Sequence, residues 1–305
     1  MSMLLAAASA LNRRRGAVDI ADLFDITLDT AANLDGVSTT GWDLLVGKSR
    51  VNSTDWVWRD TAQGISDYLK SNAPNGTDAA AAFSDYATLL GAGNGVLYRY
   101  KQHPKFCAVV AFTHTNGVTS NIPTGLTVPL GLATVKRLDS TSDWYTNHRS
   151  LTAGYNLRLN TSAAESNTAA YVSFSGSTVV FSSAAPSGDY VAYVWGHDVG
   201  DSGVIQCGVY TGNGSTTGPT VALGWQPQWL LVKSITGGVG WYLFDAARNP
   251  TNPVNARVSP DTADAEATNV NAFDFTATGF DVISNSSIVN GPAAEYAYVA
   301  IRSAA

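Results

Sequence analysis

The sequence is short of charge, of sulfur and of long apolar runs, and each shortage excludes something. Only 14% of its 305 residues are Asp, Glu, Lys or Arg, against roughly 25% in an average soluble protein. Four histidines and two cysteines, Cys107 and Cys207, form no H-E-x-x-H, no C-x-x-C and no disulfide scaffold. An EF-hand loop is also missing, so the sequence points to no metal and no cofactor. No stretch approaches the ~18 apolar residues of a membrane span. The net charge is −6 and the one basic run, Arg13-Arg14-Arg15, stands alone, which argues against nucleic acid as a partner.

Hydrophobic residues reach 45%, enough for a sizeable core and too many for general disorder. The place of the missing Lys and Glu is taken by Ser, Thr, Asn, Gly and Ala, and eight Trp and thirteen Tyr push the chain toward β structure. Short runs of Val, Ile, Tyr, Phe and Trp alternate with Gly, Asn, Pro and Ser clusters. Asn116-Gly117 and Asn213-Gly214 read as hairpin turns, because a type I′ turn needs φ > 0 at both central positions. The segment from Asp78 to Phe83 is predicted to form one helical turn, and no long helix is supported.

The chain repeats itself three times. A Lys closes an apolar run and a Trp follows eight residues later: Lys48 and Trp56, Lys136 and Trp144, Lys233 and Trp241. Four residues beyond each Trp stand Asp60, His148 and Asp245. Leu69-Lys70-Ser71-Asn72 matches Leu157-Arg158-Leu159-Asn160, and Ala256-Arg257-Val258-Ser259 follows in the third copy. Closing strands read Val96 to Tyr100, Tyr190 to Val194 and Tyr296 to Ala300. The expected fold is therefore all-β: three tandem sandwich-like units at 17–102, 103–198 and 199–305, the first divergent, behind an N-terminal anchor at 1–16.

No local frame for catalysis emerges. None of the histidines sits in a nucleophile elbow, and a position that holds Asp60, His148 or Asp245 reads as a surface or strand-edge site. The string Gly91, Gly93, Gly95 precedes a strand rather than opening a helix, so it reads as a turn and not a phosphate loop. Asp261 and Asp264 lie in DTADAE, which reads as a solvated loop. Asp60 and Asp245 are carboxylates of the type glycoside hydrolysis uses, but they fall in different repeats. The expectation is that the chain is not an enzyme. Aromatics beside Asp and Asn also suit sugar stacking, so Trp58, Tyr145, Tyr242, Asp60 and Asp245 are the candidate binding residues. The competing reading is core: Trp56 and Trp58 share one face of a strand, and an aromatic fixed in three repeats packs a sandwich.

At the N-terminus, Met1 to Asn12 form a short apolar run with the arginines after it, the reverse of a secretory signal. An isolated helix of this length is marginal in water. Leu4, Leu5 and Leu11, rimmed by Arg13, Arg14 and Arg15, are the candidate anchor to a partner protein.

The third copy, Gly224-Trp225-Gln226-Pro227-Gln228-Trp229-Leu230-Leu231-Val232-Lys233 followed by Trp241-Tyr242-Leu243-Phe244-Asp245-Ala246-Ala247-Arg248-Asn249-Pro250, resembles a tandem repeat of tailed-bacteriophage structural proteins of the tail-fibre or receptor-binding type. The resemblance covers residues 103–305 well and departs at His148-Arg149-Ser150. It implies a virion surface protein, on the tail rather than the head, and supplies no catalytic residues to carry over. It also implies other virion proteins as partners through the N-terminus, a host-surface glycan or protein as receptor, and a homotrimer. A carbohydrate-binding or adhesin module of a secreted bacterial protein, a head-surface decoration protein and a depolymerase tailspike are the alternatives.

Overall fold

A computed structural model describes residues 18–28, 40–64, 67–79, 94–200 and 202–304. The anchor candidates Leu4, Leu5, Leu11, Arg13, Arg14 and Arg15, together with Gly91 and Gly93, lie outside them. Among the described residues the regular structure is almost entirely strand, with a 3-10 turn at Ile20–Asp22 and one short helix, α1, at Ser287–Asn290.

The first repeat comprises β1 (Phe24–Leu28), β2 (Leu44–Ser49), β3 (Val57–Asp60), β4 (Asp67–Tyr68), β5 (Asp78–Ala79) and β6 (Gly95–Tyr100). In the second are β7 (Cys107–His114), β8 (Ser120–Pro123), β9 (Leu130–Arg137), β10 (Tyr145–His148), β11 (Leu157–Arg158), β12 (Val172–Ser175), β13 (Thr178–Phe181) and β14 (Gly188–Gly196). The third holds β15 (Ile205–Thr211), β16 (Thr220–Ala222), β17 (Pro227–Ser234), β18 (Trp241–Asp245), β19 (Arg257–Val258), β20 (Phe273–Thr276), β21 (Gly279–Val282) and β22 (Glu295–Arg302).

Each repeat builds an antiparallel sheet in one order: opening strand, closing strand, Lys strand, Trp strand. The three sheets run β1-β6-β2-β3, β7-β14-β9-β10-β11 and β15-β22-β17-β18-β19. In the first repeat, a bridge between Trp58 and Leu69 takes the place of the last pairing. The second and third repeats add a three-stranded sheet, β8-β13-β12 and β16-β21-β20. Ala133, Val135 and Ala192 pack on Ile122, Val179 and Phe181 in one sandwich. Leu230, Val232 and Phe244 pack on Phe273, Phe275 and Phe280 in the other.

The opposite faces of the large sheets are buried too. Alternation along a strand sends every second side chain to the other face, and there Leu44, Val46, Leu132, Val191, Trp229 and Leu231 belong to one core drawn from all three repeats. The repeats are thus closed around a shared centre. Trp56 and Trp58 both lie in it, as the core reading expects.

Three local expectations are corrected. Asn116-Gly117 and Asn213-Gly214 are not two-residue hairpins. They turn the chain from a large sheet to a small one, and only the glycines take positive φ, +87° and +68°. Of the predicted helical turn, residues 80–83 lie outside the described residues, and its first two, Asp78–Ala79, are strand β5, where pairing with β4 overrides the helix propensity of alanine. Asp261 is not freely solvated: its carboxylate accepts the Trp241 backbone N–H at 3.1 Å.

A shared core predicts shared stability. Leu132→Ala, at a buried central position, is expected to cost about 2–5 kcal/mol and to lower all three repeats together in one urea transition. Two resolved transitions, with only the second repeat weakened, would contradict the shared core.

Candidate functional site

The residues singled out in the sequence gather mainly at the seams between repeats. Each Lys stands one residue before the end of a strand and faces the centre, and among the described residues no carboxylate forms an ion pair with its ammonium. Lys48 Nζ donates to the carbonyls of Ser49, Asn52 and Ala263, at 3.1, 3.3 and 3.1 Å. Lys136 Nζ donates to Pro74 and Ser142, at 2.8 and 2.6 Å. Lys233 Nζ donates to Ser162, Ser234 and Val239. In each set one carbonyl belongs to the preceding repeat, and the third repeat precedes the first. Burial lowers each ammonium to a pKa of about 8.

The Trp residues pass the same way. Trp144 Nε1 donates to Lys70 and Ala73 of the first repeat, at 3.0 and 3.1 Å. Trp241 Nε1 donates to Arg158 of the second at 2.9 Å, and Trp56 Nε1 to Ser259 of the third at 2.8 Å. The backbone N–H of each Trp is taken by Asn72, Asn160 or Asp261, so in the third repeat the part of the asparagines falls to Asp261, two residues past the matched Ser259.

Asp60, His148 and Asp245 reach the following repeat instead. They are 1%, 2% and 0% exposed, which corrects the surface reading. Asp60 accepts from Tyr193 Oη at 2.6 Å, from the Ala62 and Gln63 backbone N–H groups and from the Gln63 side chain. Asp245 accepts from Tyr98 Oη at 2.8 Å and from Arg248 Nε at 2.6 Å. Arg248 continues to Glu266 at 3.2 Å, and Glu266 forms a two-bond pair with Arg50 of the first repeat, both bonds 2.9 Å. Burial alone would raise the Glu266 carboxyl; the two guanidinium groups outweigh it and hold it below its usual value.

Trp58, Asp60 and Asp245 are therefore occupied inside the molecule and present no ligand face. Tyr145 and Tyr242 lie on the outer side of equivalent strands, partly exposed. Arg158 sits over Tyr145 at 4.5 Å and Arg257 over Tyr242 at 5.5 Å. Tyr171 meets Tyr145 edge-on at 4.7 Å, and Arg158 pairs with Asp143 at 3.5 Å. The first repeat has Lys70 over Tyr68 at 5.7 Å, paired with Asp55 at 3.2 Å. An aromatic ring under a cation thus recurs on the outside of the molecule, with an acid paired to the cation in the first two repeats and Asn269 bonded to it in the third. Sequence reasoning named the two tyrosines but not the arginines, although Arg158 and Arg257 stand in the matched repeat segments. Among the described residues, no three His, Cys, Asp or Glu side chains are placed to share a metal ion, and no helix is long and apolar enough to cross a membrane.

The repeat geometry coincides with a family boundary. The chain belongs to the family of a domain of unknown function, DUF7483, whose model matches residues 105–304. That span opens just before β7 and closes just after β22, taking in every strand of the second and third repeats. No curated protein and no solved structure matches the chain.

The seams make a quantitative demand. Lys136→Ala takes the donor from the Ser142 carbonyl, while the Pro74 carbonyl keeps the Ser142 backbone N–H at 2.8 Å, and should cost about 1–3 kcal/mol. Removal of the exposed Lys101 side chain should stay within about 0.5 kcal/mol. Urea denaturation of the two alanine variants checks the contrast, and equal costs would contradict the role of the buried ammonium.

Proposed function

We propose that this chain is a non-enzymatic structural protein of a tailed-bacteriophage particle, a tail fibre or tail-associated receptor-binding component held by its N-terminus to other virion proteins. The observation that carries the reading is how the candidate catalytic groups are used. Asp60 and Asp245, the carboxylates best suited by type to hydrolysis, lie buried at different seams and are committed to Tyr193, Tyr98 and Arg248. The central cavity is about 30 Å³, far below the ~300 Å³ at which small-molecule pockets begin. Scarce charge, abundant Ser, Thr and Asn, and repeats tied into one body suit a durable particle surface. The repeat resemblance points the same way, and by it the assembled form is a homotrimer.

A second reading, a carbohydrate-binding or adhesin module, draws on the outward Tyr145–Arg158–Asp143 and Tyr242–Arg257 groups. Sugar faces stack on aromatic rings while acid and guanidinium groups hydrogen-bond hydroxyls, so the same groups would serve a particle that recognises a host glycan.

Mass spectrometry of purified particles is the test. The chain should be present at stoichiometric level, and deletion of residues 1–12 should strip it from the particle while its β units remain folded. Its absence from particles, with binding to host polysaccharide that Tyr145→Ala and Tyr242→Ala weaken at least tenfold, would favour the second reading.

A further inference from the structure

One of the three seams is built from different chemistry. In strand register, Lys48 faces Val96, Lys136 faces Val191 and Lys233 faces Ala297. Two residues further along each closing strand stand Tyr98, Tyr193 and Val299. The first two are the tyrosines that donate to Asp245 and Asp60. Where the third repeat has Val299, the second repeat has His148 instead of an aspartate. The two changes answer each other: without a tyrosine hydroxyl, a carboxylate here would have lost its donor.

His148 replaces that bond with two of its own. Nδ1 accepts the Ser150 backbone N–H at 3.2 Å, so the ring proton is on Nε2, which donates across the seam to the Tyr298 carbonyl at 3.1 Å. β9, β17 and β18 face the ring with Leu132, Leu231 and Trp241, and β22 with Ala297 and Val299 besides Tyr298. The ionisable groups acting on it are Arg149 beside it and His197 from the segment after β14. His197 Nδ1 in turn accepts the Cys207 backbone N–H on β15 at 3.1 Å. No carboxylate is among the groups acting on either imidazole. A proton added to His148 Nδ1 would point at the Ser150 N–H, donor against donor, and the new cation would face Arg149.

We propose that the seam between the second and third repeats is an acid-operated latch, released at its His148 end by protonation of that imidazole while the two Tyr–Asp seams stay closed. Trp241 and Lys233, bonded to Arg158 and Ser162, hold the other end of the same seam, so release there is a local parting and not separation of the repeats. The direction follows from linkage. Burial holds the His148 pKa near 4, below the ordinary 6.5. The closed seam refuses a proton that the open one accepts, so its advantage is complete above 6.5 and falls as pH drops toward 4. Between pH 7.5 and 4.5 the open fraction should rise on the order of a hundredfold.

Each seam carries its own reporter, because a backbone N–H donates to each of the three side chains: Ala62 to Asp60, Ser150 to His148 and Arg248 to Asp245. Amide hydrogen exchange on the full chain, corrected for intrinsic rates, is expected to show Ser150 losing protection by that factor between pH 7.5 and 4.5, with Ala62 and Arg248 unchanged. Imidazole ¹⁵N spectra should show His148 still neutral at pH 5.5. The paired variant His148→Asp with Val299→Tyr should rebuild the Tyr–Asp bond and remove the selective response. A His148 that titrates near 6.5 with Ser150 protection unchanged, or a loss of protection equal at all three seams, overturns the latch. The wild-type readouts decide the matter whether or not the paired variant folds.

Discussion

Three lysine ammonium groups buried without a carboxylate are the constraint on which this architecture rests. Burying such a charge is costly unless its donors are met. Here they are met by backbone carbonyls, one of which each time comes from the loop of the neighbouring repeat. Those carbonyls gain a charged donor at a partly buried seam, where a charge-assisted hydrogen bond is stronger than a neutral one. A repeat on its own therefore lacks one of its ammonium's acceptors, and its neighbour's loop lacks that charged donor. The three Trp Nε1 bonds run in the same sense around the ring, so closing the circle satisfies every repeat at once.

This explains both what was legible in the sequence and what was not. The eight-residue Lys-to-Trp spacing is visible because one seam needs both residues at a fixed distance along a hairpin. The Asn72 and Asn160 match is legible for the same reason, since each caps its Trp backbone. Asp60, His148 and Asp245 were misread as surface residues because spacing tells which face of a strand a side chain takes, not what covers that face. In free-standing sandwiches the inner face of β3, β10 or β18 would meet water. A clue did exist in Leu44-Leu45-Val46 and Leu230-Leu231-Val232, where the apolar run does not alternate, which is how strands buried on both sides read.

The same logic limits where recognition can occur. Aromatics turned to the centre, such as Trp58, Trp144 and Tyr193, pack on one another, stacked in the Trp144–Tyr193 pair and tilted or edge-on in the others, and are spent on cohesion. Those turned outward, Tyr145 and Tyr242, keep part of their surface and carry a guanidinium on one face. Low overall charge fits this division, because seams held by neutral carbonyls, tyrosines and one imidazole need few ion pairs. The exception is the closing seam, where the Asp245–Arg248–Glu266–Arg50 chain joins two repeats that no peptide linker connects directly.

The closed ring is tested most directly by a double-mutant cycle between Asp60→Asn in the first repeat and Tyr193→Phe in the second, residues 133 apart in sequence and 2.6 Å apart in space. Residues in direct contact show coupling of about 0.5–3 kcal/mol, whereas independent sites add to within about 0.5. The ring predicts a coupling of at least about 1 kcal/mol in urea denaturation. Additive costs would mean that the repeats do not share a seam and would contradict the account.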